Sequence, residues 1–254
     1  MSPSKDTTAT PDDLHRQLAY LNLPFMRQNV EELARRAAKG QWSHVDFLAR
    51  LVEGEAAQRQ DRARQRRVQQ ARFPVLKALQ QFDFTWPTKI NRPQVQNLFR
   101  LKFIEDKAHA VFVGPVGLGK SHLAVALGYA ACLAGFRVRF ATAVEIVNSL
   151  SAAEKAGRFL PELKKYTRPD VLIMDELGYL PIDKHGADLL FQIISQRYER
   201  GSIVLTTNKV FKDWPSIFNN DSTLTSAILD RLLHHAETIV IEGKSYRMKD
   251  RIDP

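Results

Sequence analysis

Apolar residues recur at three- and four-residue steps through Leu14, Leu18 and Leu21, and again through Phe25, Val30, Leu33 and Ala37. That is the spacing of one face of an α-helix. Pro24 suits a helix start and Gly40 a helix stop. Ser43 can cap a third helix, with Val45, Phe47, Leu48 and Leu51 on its apolar face. No strand pattern interrupts this stretch. Residues 11–73 are therefore expected to form a small all-helical module, behind a disordered tail over residues 1–10. The end of the module is unlike its start. Arg59, Arg62, Arg64, Arg66, Arg67 and Arg72 face a single acid, Asp61. At about 100° per residue they wrap most of the way round a helix, giving a basic rod rather than an amphipathic one. Two readings stay open for it. One is a solvated helix. The other is a DNA-binding element, because the guanidinium fork meets phosphate oxygens in pairs and such binding weakens with salt.

Residues 74–254 read as one domain that includes a connector over 74–106. Pro74, Pro87 and Pro93 punctuate the connector, while Phe82, Phe84, Trp86, Leu98 and Phe99 say that it packs on something. From His109 the texture becomes strand, glycine turn, helix. Strands are expected at 110–113, 137–141, 171–174, 202–206 and 238–241, with helices at 120–134, 144–156, 185–199 and 225–234. This alternation predicts an α/β fold, a mostly parallel sheet with helices on both faces.

Composition narrows the setting. The 254 residues carry 37 Lys and Arg against 28 Asp and Glu, a net charge of +9, which points to an anionic partner without naming it. Cys132 is the sole cysteine, so no disulfide or cysteine zinc site can form within the chain. Residues 1–10 lack the apolar core of a secretory signal. The longest apolar run, 123–136, contains Gly128 and Gly135 and is too short to span a bilayer. A soluble cytoplasmic protein is expected.

The chemistry concentrates in Gly114-Pro115-Val116-Gly117-Leu118-Gly119-Lys120-Ser121, followed by His122. The pattern GxxxxGK[ST] between an apolar strand and a helix is a phosphate-binding loop. Its glycines let backbone N–H groups converge on a triphosphate, and the helix aims its positive end at the same oxygens. Lys120 reaches the outer phosphates and Ser121 offers a hydroxyl to Mg²⁺. ATP and Mg²⁺ are the expected ligands. The apolar run Val171-Leu-Ile-Met ends in Asp175-Glu176, which places carboxylates at the same edge of the sheet. Asp175 is read as a Mg²⁺ ligand and Glu176 as general base for an attacking water. Asp175 follows Lys120 by 55 residues, room for a further strand and its flanking helices. Asn208, at the end of the next strand, can orient that water. Asn208-Lys209 does not extend to a guanine-reading motif, because position 211 is Phe. Arg231 and Arg247 are candidates for stabilising phosphate charge. Arg197 and Arg200 are lesser ones of the same kind. His234-His235 has no Glu at metal spacing and no cysteine nearby, so neither is read as a ligand.

These strings, with Leu172-Ile-Met-Asp-Glu-Leu-Gly-Tyr179, Gln196-Arg-Tyr-Glu-Arg-Gly201, Thr206-Thr-Asn208 and Gly243-Lys-Ser-Tyr-Arg247, together resemble IstB, the ATP-binding helper of insertion-sequence transposases. IstB is similar in turn to the helicase loader DnaC and the initiator DnaA, within the AAA+ class. The resemblance covers nearly the whole chain. It implies that Asn208 is a sensor-1 residue, that Arg231 is an arginine finger reaching a neighbouring subunit's ATP, and that Arg247 lies near the sensor-2 position with a reduced lid. It also implies a homo-oligomer on double-stranded DNA and contact with a transposase, with no membrane partner. The acidic triad of a transposase is not recognisable here. A DnaC-like helicase loader shares the ATPase core and is the alternative, to be separated by what the helical module binds.

Overall fold

The structure, a computed structural model, describes residues 11–248. The tail expected over residues 1–10 lies outside the described residues. The chain divides into two compact units between Gln65 and Arg66, ahead of the boundary expected near Phe73.

The first unit is helical, as the apolar spacing predicts: α1 (Pro11–Tyr20), α2 (Pro24–Gly40) and most of α3 (His44–Ala71). Pro24 opens α2 and Ser43 Oγ accepts the Asp46 amide at 3.0 Å at the head of α3. The stop differs by one residue from the expectation. Gly40 is the last helical residue and Gln41 takes the left-handed conformation. A Cβ at Gly40 would sit 2.5 Å from the Trp42 indole nitrogen, so its small size serves packing. No side chain of its own caps the head of α2. Instead the buried Glu55 of α3 accepts the Phe25 and Met26 amides at 2.9 and 3.2 Å. A carboxylate there satisfies unpaired N–H groups and meets the positive helix end.

The second unit begins in the last turns of α3. Arg67 Nε donates to the Cys132 carbonyl at 2.9 Å and Ala71 is fully buried. Next come α4 (Arg92–Leu98) and α5 (Lys102–Glu105), then β1 (His109–Val113), α6 (Lys120–Ala134), β2 (Val138–Thr142), α7 (Ala143–Lys155), α8 (Phe159–Thr167), β3 (Val171–Leu177), α9 (Lys184–Arg197), β4 (Ser202–Thr207), α10 (Ser222–Leu233) and β5 (Ala236–Val240). The five strands form one parallel sheet in the order β2-β3-β4-β1-β5. β4 therefore stands between β1 and β3, while β2 and its flanking helices fill the long interval from Lys120 to Asp175.

Alternation along each strand divides the interior into two cores. Val111, Val113, Leu172, Met174, Ile203 and Leu205 face α7, α8, α9 and α10. Ala110, Phe112, Val171, Ile173 and Val204 face α6. The connector joins this second core through Phe82, Phe84, Leu98 and Phe99. Helix α8 was not expected. Phe159, Leu163 and Tyr166 nevertheless fall at helical spacing, and Leu163 and Tyr166 are buried where α7 and α9 lie against it. Among the described residues no helix is long and apolar enough to cross a membrane.

Candidate nucleotide site

The phosphate loop lies where β1 hands the chain to α6. Gly114 has φ 155 and a Cβ there would come within 2.1 Å of the Ile241 carbonyl oxygen. That contact is with backbone and cannot be relieved, so the turn demands glycine. Gly119 is the N-cap of α6 with φ 83, and no side chain caps the helix. The first N–H groups of α6 are thus left to face an anion. Pro115 and Val116 are exposed at the tip of the loop, while Leu118 anchors it in the core.

Lys120 is buried, and its ammonium donates to the Pro115 carbonyl at 2.7 Å. Burial pulls it below the usual lysine range. Asp175 and Glu176 oppose the shift, and the Arg247 charge adds to it. Ser121 Oγ donates to Asp175 Oδ1 at 2.9 Å. Asp175 is itself buried, and the Thr206 hydroxyl donates to the same oxygen at 2.5 Å. A buried carboxylate beside a serine hydroxyl is a hard oxygen donor set, which fits Mg²⁺.

Glu176 is placed differently from its neighbour. Met174 pairs with Leu205 and Leu177 with Thr207, so three steps on β3 match two on β4. The extra residue makes a bulge. Glu176 has φ 60 and is exposed in an otherwise buried strand. The left-handed backbone costs on the order of 1 kcal/mol for a residue with a side chain. The bond from the Glu176 amide to Thr206 Oγ1, 2.9 Å, holds it there. Strain of this kind is concentrated at functional sites.

A cavity of about 390 Å³ gathers these groups, a size suited to a small-molecule ligand. The phosphate loop from Val116 to Ser121, Glu176, Asn208 and Arg247 all line it. Asn208 Oδ1 is buried with no hydrogen-bond partner, an acceptor left for a ligand or water. His122 lines it too, with Nε2 3.1 Å from the Ala78 carbonyl oxygen and its ring edge-on to Phe82. Burial lowers its pKa.

Sequence reasoning missed two features. Thr206 bridges Asp175 and Glu176, yet a threonine inside an apolar strand looks like an ordinary β-former. The far wall is built by the connector and the C-terminal segment, through Phe82, Trp86 and Tyr246. Trp86 and Tyr246 meet edge to face at 5.6 Å, and Trp86 Nε1 donates to the Lys244 carbonyl at 2.8 Å. The aromatic density of 82–86 and the Gly243–Arg247 string were the signals for it.

Other candidates lie elsewhere. Arg231 does not line the cavity. It donates to the Ala227 carbonyl at 3.0 Å and lies 4.8 Å from the Phe191 ring centre. Arg197 is fully buried and donates to the carbonyls of Tyr166, Pro169, Asp170 and Ser202 at 2.7 to 3.1 Å. That role is structural. A Cβ at Gly201 would lie 2.7 Å from its guanidinium, which accounts for the Arg-x-x-x-Gly spacing. Of the basic rod, Arg59 pairs with Glu55 and donates to the Asn22 carbonyl, Arg64 pairs with Asp61, and Arg67 holds Cys132. Arg62, Arg66 and Arg72 are exposed.

Known proteins resemble this chain in sequence and in fold. The chain is 41% identical over 239 residues to the ATP-binding protein of insertion sequence IS21 from Pseudomonas aeruginosa, covering 94% of this chain and 90% of that one. It is 38% identical over 238 residues to that of IS5376 from Geobacillus stearothermophilus, covering 94% of each. Among solved structures, the DnaC helicase loader superposes with a TM-score of 0.51 at 24% identity, over 63% of this chain and 95% of that one. DnaA bound to AMPPCP and single-stranded DNA gives 0.52 at 20%, over 66% and 54%. These likenesses show the α/β fold expected from the sequence, a parallel sheet with helices on both faces. The family model for IstB-like ATP-binding proteins matches residues 16–253, and with the phosphate loop, the paired carboxylates and near-complete coverage by insertion-sequence relatives, the chain belongs to that family.

Proposed function

We propose that the protein hydrolyses ATP to ADP and phosphate in this cavity, assembles as a homo-oligomer on double-stranded DNA while ATP is bound, and so helps a transposase select or use target DNA. The observation that carries the hydrolytic part is the β3 bulge. It buries Asp175 and turns the adjacent Glu176 into the cavity. Two neighbouring carboxylates in two environments can take two roles.

Lys120 and the head of α6 bind and orient the phosphates. Ser121 and Asp175 would hold Mg²⁺, which when bound neutralises phosphate charge. Glu176 accepts a proton from the attacking water. Asn208, with its unpartnered oxygen, orients that water. Arg247 lies on the same cavity and offers positive charge to the phosphates. Arg231, outside its own chain's cavity, is suited to act on a neighbour's. The names of the insertion-sequence relatives, the net charge of +9 and the exposed Arg62, Arg66 and Arg72 support the DNA and transposase part.

The test is phosphate release with and without duplex DNA at two salt concentrations. Wild type should be stimulated by duplex, less so at high salt. Glu176→Gln should bind ATP normally and lose roughly a hundredfold or more in turnover. Lys120→Ala should lose ATP-dependent assembly. Assembly intact in Lys120→Ala would overturn the scheme. Turnover indifferent to duplex, with capture of a hexameric helicase, would replace it with the loader reading.

A further inference from the structure

Along the sequence His234-His235 has no ligating partner, but the fold brings one from 35 residues away. α9 ends at Arg197, and the chain turns through Tyr198 and Glu199 before β4, with Glu199 in the left-handed conformation at φ 56. α10 ends at Leu233, and the two histidines lead directly into β5. β4 and β5 flank β1 in a parallel sheet, so the residues before each strand share one edge. There, one ring nitrogen of each histidine and a carboxylate oxygen of Glu199 lie within 4.8 Å of one another.

We propose that Glu199, His234 and His235 form a binding site for a divalent transition-metal ion, with Zn²⁺ the best match to the ligand set. Two imidazoles and one carboxylate are a recurrent three-ligand zinc set that keeps a fourth position open. Nitrogen donors favour Zn²⁺ and its neighbours over Mg²⁺ and Ca²⁺. Around a tetrahedral ion with bonds of about 2.0–2.2 Å, ligand atoms stand roughly 3.3 Å apart. All three side chains are exposed, so rotation about side-chain bonds can close the gap without moving the backbone.

The surroundings are already ordered for this. Tyr198 Oη lies 2.8 Å from His234 Nδ1. That bond orients the ring, the kind of outer partner that metal-bound imidazoles ordinarily have. The His235 carbonyl accepts the His109 amide at 2.7 Å, and the His234 amide donates to the Asp230 carbonyl at 3.1 Å. The imidazole ring centres are 4.0 Å apart, close enough for both rings to reach one ion. The site lies at the N-terminal edge of the sheet, opposite the phosphate loop, and does not depend on the function proposed for the cavity. It draws on Tyr198 and Glu199 of the Gln196–Gly201 string, residues that the nucleotide site does not use.

Titration of the untagged full chain with Zn²⁺, followed by calorimetry, tests this, with Co²⁺ as an absorbing probe of coordination. One ion per chain should bind saturably. His234→Ala, His235→Ala and Glu199→Gln should each weaken binding by roughly tenfold or more. His185→Ala should leave it unchanged, which excludes the exposed His185–Glu154 pair. Bound Zn²⁺ should also raise the unfolding midpoint of wild type but not of His234→Ala. Absence of saturable Zn²⁺ binding, or binding that survives both His234→Ala and Glu199→Gln, would overturn the proposal.

Discussion

Thr206 gives one hydroxyl to two catalytic candidates, donating its proton to Asp175 and accepting that of the Glu176 amide. Valine has the same shape and can do neither. Thr206→Val should therefore release the bulge and let the Asp175 carboxylate turn, while the phosphate loop stays intact. The expected result is a fall in kcat of roughly tenfold to a hundredfold with ATP affinity preserved, since outer partners of a site carry effects of that order. Thr206→Ser, which keeps the hydroxyl, should restore most of the rate. Equal loss in both variants would mean that the methyl group, and hence packing, is what matters. Lys120 shows the same dependence on its neighbours. Its burial is tolerable because the ammonium has a carbonyl partner and two nearby carboxylates.

At the scale of elements, the start of β1 is tied to β4 by a side chain. His109 is 2% exposed, and its Nδ1 accepts the Ile203 amide at 3.1 Å. That bond needs an unprotonated Nδ1. Burial, aided by the Arg197 charge, lowers the His109 pKa from 6.5 to about 4. The folded state thus resists a proton that the unfolded state accepts. Stability from this group is complete above about pH 6.5 and falls as the pH drops toward 4, because only the unfolded chain binds the proton in that window. The loss should reach about 3 kcal/mol at pH 4. Urea unfolding at pH 7.5 and pH 5 checks this, with a smaller pH dependence expected in His109→Gln than in wild type. An equal pH dependence in the two proteins would assign the effect to other groups. A second tie is Arg197, whose guanidinium joins the end of α8, the turn before β3 and the start of β4. An arginine of the Gln196–Gly201 string is thereby explained by the four carbonyls that converge on it.

For the molecule as a whole, the question is whether one chain completes its own site. Arg231 lies outside the cavity and has local partners. If it serves a neighbouring subunit, Arg231→Ala should keep ATP binding and lose turnover by roughly a thousandfold, in the range known for arginine fingers. Mixing it with Lys120→Ala chains should then restore some turnover only in the order that pairs an intact loop with an intact Arg231. Weakened ATP binding by the isolated Arg231→Ala subunit would place its role within its own chain. The basic rod is likewise to be read residue by residue. Arg59, Arg64 and Arg67 have protein partners, so exposed Arg62, Arg66 and Arg72 should govern any salt-dependent binding to duplex.

The residues whose meaning is local were legible in the sequence. Gly114, Gly119, Lys120 and Ser121 act through a turn and the helix that follows it. The period of apolar positions fixed the five strands and the helices of the first unit. Asp175 was legible because an apolar strand ending in acid places that acid at one edge of a parallel sheet. Contacts between distant residues were decided by the tertiary structure. α8 carries Phe159, Leu163 and Tyr166 at helical spacing, but that α7 and α9 are what cover it was decided by the fold. Thr206 matters only because β4 lies beside β3 with one residue bulged, and Arg197 only because four carbonyls converge on it. The Glu199–His234–His235 cluster exists because parallel strands bring the residues before β4 and β5 to one edge. Spacing along a chain records which side chains share a turn or a face. It does not record which strands become neighbours, and that is settled by the packing of the whole sheet.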